Sequence, residues 1–367
     1  MSALGIIFSH IHDDNIPELS RNRTMASVPF GGRYRLVDFA LSNLVNSGVT
    51  KVGIITKNNY QSLLDHLGSG KDWDLARKDG GIILLPPYHE SKENSYDTRL
   101  EALKGVTGFL SKCTDDYVIL LDCDGVYRLD FTQVIAYHEA KQADITMIYH
   151  NAPVVKTPYF MSLTLDENER VTDLAVNPKI KGNANIYLNM MVINRQLLLN
   201  LILDSITHNY TSFGRDVLPR SLRSMNIVGY NFEGFHCAMT SMQAYYENNM
   251  KLLDKNVRKE LFGERDIYTK VRDSAPSKYG NDAIVKNSLV SDGCVIEGVV
   301  INSVLARGVK VGKGTVIKDS IIMQDGVIGE NCNLTCLIAD KNVVIRDNRT
   351  LAGCDVQPYF IAKGSMI

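Results

Sequence analysis

Residues 309–348 read VKVGKGTVIKDSIIMQDGVIGENCNLTCLIADKNVVIRDN. The stretch is rich in Val, Ile and Gly and carries no helical pattern. Val311 and Ile317 are six residues apart, as are Ile328 and Leu334, and Val311, Ile328 and Ile345 recur every 17 residues. The dipeptide Val311-Gly312 returns as Ile328-Gly329. Aliphatics every six residues that regroup at this longer period predict a left-handed parallel β-helix with three short strands per coil. The inward aliphatics would stack in a column, and glycines would turn the corners. A run of edge strands in a sandwich is the alternative, and the fixed period favours the β-helix. It is assigned to residues 283–367, and residues 254–282 read as an irregular connector.

Working back towards the N-terminus, the texture changes to alternating strand and helix signals. Leu4–Phe8, Val52–Thr56, Gly81–Leu85, Tyr117–Leu121 and Ile145–Tyr149 are short apolar runs. Arg35–Asn46 and Phe131–Ala143 place apolar residues on one helical face, with Gly48 as a stop and His138 as a core histidine. This alternation predicts a mainly parallel, mixed α/β sheet covered on both faces, spanning residues 1–253. Phe160–Leu165 and Val171–Ala175 flank a polar turn and predict a hairpin, read as an inserted lid or substrate-side subdomain.

Composition narrows the class. A chain of 367 residues has room for two domains and a large core. The formal net charge of −1 gives no bulk attraction to nucleic acid or membrane. No signal-peptide pattern or membrane-length apolar run is present, and seven cysteines lie without paired spacing. These features predict a cytoplasmic protein with reduced thiols. Cys332 and Cys336 have no second ligand pair that would suggest zinc.

The turn after the first strand, FSHIHDDN (8–15), decides less on its own. Phosphates commonly sit at this turn in open α/β sheets, and glycines make room for them. Here His10, His12, Asp13 and Asp14 stand instead. Two histidines two apart on an extended segment would point the same way, as metal ligands do. No further histidine cluster accompanies them, so a polar surface loop without metal is the favoured reading.

Longer motifs carry a resemblance. VPFGGRYRLVDFALSNLVNSG (28–48), Asp124 followed by GVYRLDF, SFGRDVLP (212–219), QAYYENNM (243–250) and NSLVSDGCVIEG (287–298) resemble the bacterial ADP-glucose pyrophosphorylases, or glucose-1-phosphate adenylyltransferases. The resemblance spans nearly the whole chain. It implies a Rossmann-like nucleotidyltransferase domain followed by the β-helix. It also implies a reaction in which ATP and glucose 1-phosphate give ADP-glucose, for glycogen, and pyrophosphate. That chemistry joins two polyanions and calls for backbone N–H groups, cations and Mg²⁺.

The departures from the family pattern fall on its chemistry. Its Gly-Gly-x-Gly-x-Arg-Leu loop aligns with His10–Ile16, so the glycines are gone and the arginine is Asn15. A lysine becomes Met25, and the Glu-Lys-Pro lysine becomes Asn177. The Gly-Thr-Ala-Asp-Ala segment becomes Thr98–Ala102. Of two metal-binding aspartates one remains, Asp124, as a relic, and the other is Ala238. Arg33 and Arg35 follow Gly31-Gly32, where the resemblance suggests an anionic sugar-phosphate effector.

The pattern resembles the non-catalytic D-type subunits of this family, known in Gram-positive bacteria. It implies a chain with no catalytic residues, metal or cofactor of its own. Its partner would be a catalytic subunit holding Mg²⁺, in a hetero-oligomer that is a tetramer by resemblance. The alternative is a self-sufficient sugar-phosphate nucleotidyltransferase with a divergent phosphate loop. A hexapeptide-repeat acyltransferase is disfavoured because residues 283–367 contain no histidine. A hydrolase using His10 and His12 is a third rival.

Overall fold

The computed structural model describes residues 2–57, 59–87, 97–154 and 160–367. The apolar runs of the first domain meet in one nine-stranded mixed sheet. Ala3–Phe8 lies between Lys51–Ile55 and Tyr117–Asp122, parallel to both, and Gly81–Leu85 continues the parallel half. Asn183–Asn194 then runs antiparallel to Tyr117–Asp122 and to Ile145–Pro153. Ile227–Asn231 adds in parallel to Ile145–Pro153. Separate apolar clusters cover the two faces, which is why Leu4, Ile6, Ile7 and Phe8 are apolar without alternation.

Helix Leu36–Asn46 packs Val37, Ala40, Leu41 and Leu44 against one face and stops at Gly48, whose φ is +80°. Helix Phe131–Ala140 ends short of Ala143 because Gln142 adopts φ +49°. His138 is buried, with Nδ1 2.8 Å from Thr146 Oγ1. The hairpin is present as Met161–Leu165 and Val171–Val176. It is no inserted lid: Met161–Leu165 bonds to Asn183–Asn194 and extends the main sheet.

The β-helix has three parallel sheets of five strands each. Val311, Ile328 and Ile345 stack in register, as do Ile317 and Leu334, and all five are almost fully buried. The corners are not turned by the repeated glycines. Asn and Asp residues, among them Asn302, Asp319, Asp325, Asn331 and Asn342, take the left-handed conformation there, with Gly293, Gly308 and Gly314. Gly312 serves close stacking instead: a Cβ there would lie 2.6 Å from the Gly329 carbonyl oxygen. Gly312→Val is therefore expected to cost about 1–3 kcal/mol by overpacking against backbone, read as a fall in the urea midpoint.

The segment 254–282 is more ordered than an irregular connector. Its Asp254-capped helix Lys255–Phe262 precedes the first β-helix strand, Lys278–Tyr279, which pairs with Val295–Ile296. The coil thus begins before residue 283, because the strand needs only a neighbouring coil to bond to. One face of the β-helix packs on the first domain through Val304, Ile321, Met323 and Ile338 against Leu19, Phe30, Phe39 and Tyr245. Two of the family-like motifs build this junction. Tyr245 donates to the Pro29 carbonyl (2.6 Å) and Asn249 accepts from the Gly31 N–H (2.9 Å). Tyr246 reaches the Asp319 carbonyl in the β-helix (2.6 Å). None of the seven cysteines is in a disulfide. Among the described residues no helix is long and apolar enough to cross a membrane.

Candidate functional site

Parallel strands Ala3–Phe8 and Tyr117–Asp122 end side by side, with Phe8 opposite Asp122. Ligands of open α/β sheets gather at such carboxyl ends. Beyond Phe8 the chain does not run on extended. The Asp13 N–H donates to the His10 carbonyl and the Asn15 N–H to the His12 carbonyl, both at 3.0 Å, forming a tight turn. That turn folds His12 back over the strand ends. Its Nε2 lies 2.6 Å from Asp122 Oδ2 and 3.5 Å from Asp124 Oδ2.

A second side chain reaches the same place. Helix Arg99–Gly105 is capped by the Thr98 hydroxyl and anchored by buried Leu100 and Leu103. This fixes Arg99 at its start. The Arg99 Nε lies 3.0 and 3.1 Å from the two Asp122 oxygens, and its Nη2 also bonds Oδ2. Asn189 donates to Asp124 at 3.2 Å. Burial alone would raise the Asp122 carboxyl, but the Arg99 guanidinium and the His12 ring overcome it and hold it at about 2. Burial disfavours a charged His12, yet Asp124 and Asp122 keep its pKa above the ordinary value. Burial also raises Asp124, partly offset by His12. Asp122 and Asp124 thus share a secluded site with the Arg99 guanidinium and the His12 ring.

The loop is therefore not a polar surface loop. His10 is buried and stands outside the cluster of His12, Asp122 and Asp124, so the two histidines do not form one ligand pair. Asp13 turns inward, accepts the Met25 N–H at 2.6 Å, and is pushed up by burial to about 7. Asp14 alone of the two aspartates lines the neighbouring pocket, with Asn15, Thr98, Arg99 and Arg215. In SFGRDVLP, the Asp216 carboxylate accepts from the Thr211 and Ser212 N–H groups, both at 2.9 Å, and so folds its own loop.

A second site lies between the domains. A narrow cleft is lined by Arg33, Arg35, Lys270, Arg272, Arg307 and Lys341, with His66 and, among the described residues, no carboxylate. Arg33 is exposed, its guanidinium 5.6 Å from the Tyr34 ring centre. Arg35 is held by the Ser62 carbonyl and hydroxyl (2.5 and 3.0 Å), and burial lowers it to about 10. Lys341, from the β-helix, is lowered to about 7 by burial and then by Arg35 and Arg23.

Comparison with known proteins matches both domains. A family model described as nucleotidyl transferase matches residues 16–255, and one described as GlmU-like, C-terminal hexapeptide matches residues 274–358. A glucose-1-phosphate adenylyltransferase of Clostridium perfringens (strain 13 / Type A) is 31% identical over 366 residues, covering 92% of each chain. The glycogen biosynthesis protein GlgD of Bacillus subtilis (strain 168) is 33% identical over 362 residues, covering 98% of this chain and 96% of its own. A glucose-1-phosphate adenylyltransferase of Geobacillus stearothermophilus is 35% identical over 307 residues, covering 82% and 79%.

The chain belongs to the glucose-1-phosphate adenylyltransferase family.

Within this adenylyltransferase frame the positions singled out in the sequence separate into two groups. Asp124, Ala238 and Asn15 come together. Strand His236–Ala238 pairs with Gly125–Tyr127, setting Ala238 opposite Gly125, and Asn15 donates to the Met239 carbonyl at 3.2 Å. Met25 and Asn177 do not join them. The Met25 side chain is buried in the apolar cluster between the domains, so a lysine there would lie among Leu19, Phe30 and Phe39. Asn177 accepts from the Phe160 N–H at 2.8 Å and closes the base of the hairpin. Arg33 and Arg35 share the basic cleft. Asp122 and Asn189 were not singled out in the sequence, and Arg99 entered only within the altered segment Thr98–Ala102. The spacing of Asp122 and Asp124 at a strand end was the available signal for the first of them.

Proposed function

We propose that this chain is a regulatory and assembly subunit of glucose-1-phosphate adenylyltransferase in glycogen synthesis, without turnover of its own. A catalytic partner would join ATP to glucose 1-phosphate in a cytoplasmic hetero-tetramer and would hold the Mg²⁺. The observation that carries the reading is the pairing of His12 and Arg99 with Asp122 and Asp124 at the strand ends. Phosphoryl transfer depends on cations and N–H donors aimed at phosphate oxygens. Here Asp122 is taken up by Arg99 and His12, the loop has no glycine, and Asp14 faces the pocket. Each lost donor is worth roughly 10²–10³-fold in rate. The name of the Bacillus subtilis relative, a glycogen biosynthesis protein, supports the pathway.

Regulation on this reading works through the junction. The cleft holding Arg33 and Arg35 would take a sugar-phosphate effector. By drawing the two domains together, the anion shifts the partner's conformational equilibrium, provided the subunit binds the active form better. Two measurements test the proposal. The purified chain with ATP, Mg²⁺ and glucose 1-phosphate is expected to release no pyrophosphate above background. Mixed with the catalytic chain of the same genome, it is expected to co-purify and to change kcat or KM. Robust turnover by the chain alone would favour the self-sufficient nucleotidyltransferase instead.

A further inference from the structure

We propose that the divalent-cation position of this fold is filled here by the chain's own side chains, Arg99 and His12, which hold the centre closed without metal. The family reaction implies a cation at Asp124, and His12, Asp122 and Asp124 are residue types that could bind one. Their arrangement does not fit that role. A metal ligand must offer a free lone pair, and Asp122 Oδ2 is already engaged by Arg99 Nε and Nη2 and by His12 Nε2, while Oδ1 faces the same guanidinium through Nε. An ion bound to His12 Nε2 would have to break its contact of 2.6 Å with Asp122. Oxygen–metal distances of about 2.0–2.6 Å would then set the ion beside a guanidinium that cannot lose its charge. The position that would supply another carboxylate is Ala238, opposite Gly125.

A tethered cation differs from a bound ion in one way that can be measured. Arg99 is anchored through buried Leu100 and Leu103, so no chelator removes it and no added metal improves on it. Asp122 is almost completely buried, so without Arg99 it needs another counter-charge. Removing the guanidinium should therefore create the cation site that the native chain lacks.

The inference rests on the family assignment and is independent of the regulatory reading. An inactive chain that nevertheless binds metal would overturn this inference alone. The experiment is a thermal melt of the full chain with EDTA or millimolar Mn²⁺, together with a Mn²⁺ titration followed by electron paramagnetic resonance. The native chain is expected to shift by less than about 1 °C in either additive, as an ion without a site contributes no linkage. Arg99→Ala is expected to melt lower, to bind Mn²⁺ at least about tenfold more tightly than the native chain, and to regain stability with it. Arg99→Gln with Asp122→Asn, which removes both charges, is expected to lose that metal response. Stoichiometric Mn²⁺ binding by the native chain would overturn the proposal, and that measurement stands even if Arg99→Ala does not fold. A folded Arg99→Ala chain indifferent to Mn²⁺ would overturn it equally.

Discussion

Asp340→Ala is expected to lower stability by about 3–5 kcal/mol, the cost of stranding a buried charge, and to move the first urea transition accordingly. Asp340 follows a β-helix strand, and Arg23 follows the short helix Pro17–Ser20 beneath the altered loop. Their side chains are each 3% exposed. The contact is bidentate, with Nη1 2.9 Å from Oδ1 and Nη2 2.6 Å from Oδ2. Such a planar match fixes the relative setting of the two domains as well as pairing their charges. Removing the carboxylate leaves the Arg23 guanidinium, 3% exposed, without its counter-ion. The double change Arg23→Met with Asp340→Leu should be far milder, because apolar replacement of a whole buried pair is often neutral. A single-variant loss below about 1 kcal/mol, the range of exposed pairs, would mean that apolar packing alone sets the junction. The same variant separates assembly from folding: if it folds but no longer joins the catalytic chain, the junction geometry is what the partner reads.

The β-helix was legible because its period is written in single residues. An aliphatic column with a fixed repeat has one register, and Val311, Ile328 and Ile345 fell into it. The role of Gly312 was not legible, since a glycine needed for a corner and one needed for close stacking look alike in sequence. Only the carbonyl of Gly329 on the adjacent coil tells them apart. The parallel half of the first sheet followed from its strand–helix alternation. The hairpin was seen but misplaced, because pairing with Asn183–Asn194 is a long-range contact that local pattern does not encode. At the site, the loss of glycines was visible and its consequence was not. FSHIHDDN looked like surface because four polar side chains stand together. The fold supplies what the sequence segment lacked, a carboxylate from position 122 and a guanidinium from position 99, and with them His12 is drawn inward while Asp14 stays exposed.

Lys341 gives the basic cleft a pH dependence with a definite sign. Burial, then Arg35 and Arg23, lower it to about 7 against an ordinary 10.5, with Arg272 adding to the repulsion and Asp340 opposing it. The other cleft groups are Arg33, Lys270, Arg307 and His66. His66 is itself lowered by burial and sits 2.5 Å from Asp38, so it adds little charge above neutrality. Between about 7 and 10.5 the unfolded chain holds a proton at position 341 that the folded chain has released. The unfolded state then binds more protons, so stability rises with pH across that window. An anion in the cleft favours the charged ammonium and draws the proton back. Binding of sulfate, which does not titrate here, is therefore expected to take up a proton above pH 7. Its affinity should fall with pH by up to about tenfold per unit, the limit for one coupled proton. Isothermal titration in buffers of different ionisation enthalpy reads that uptake directly. Lys341→Met is expected to bind sulfate more weakly with a flatter pH profile. In sulfate-free buffer it should melt higher below pH 7, the gain shrinking towards pH 10.5 as the unfolded lysine also becomes neutral. Proton uptake unchanged in the variant would assign the linkage to another group in the cleft. No uptake in the native chain would mean that the ammonium is already charged, and that the cleft stores its repulsion against the anion's arrival.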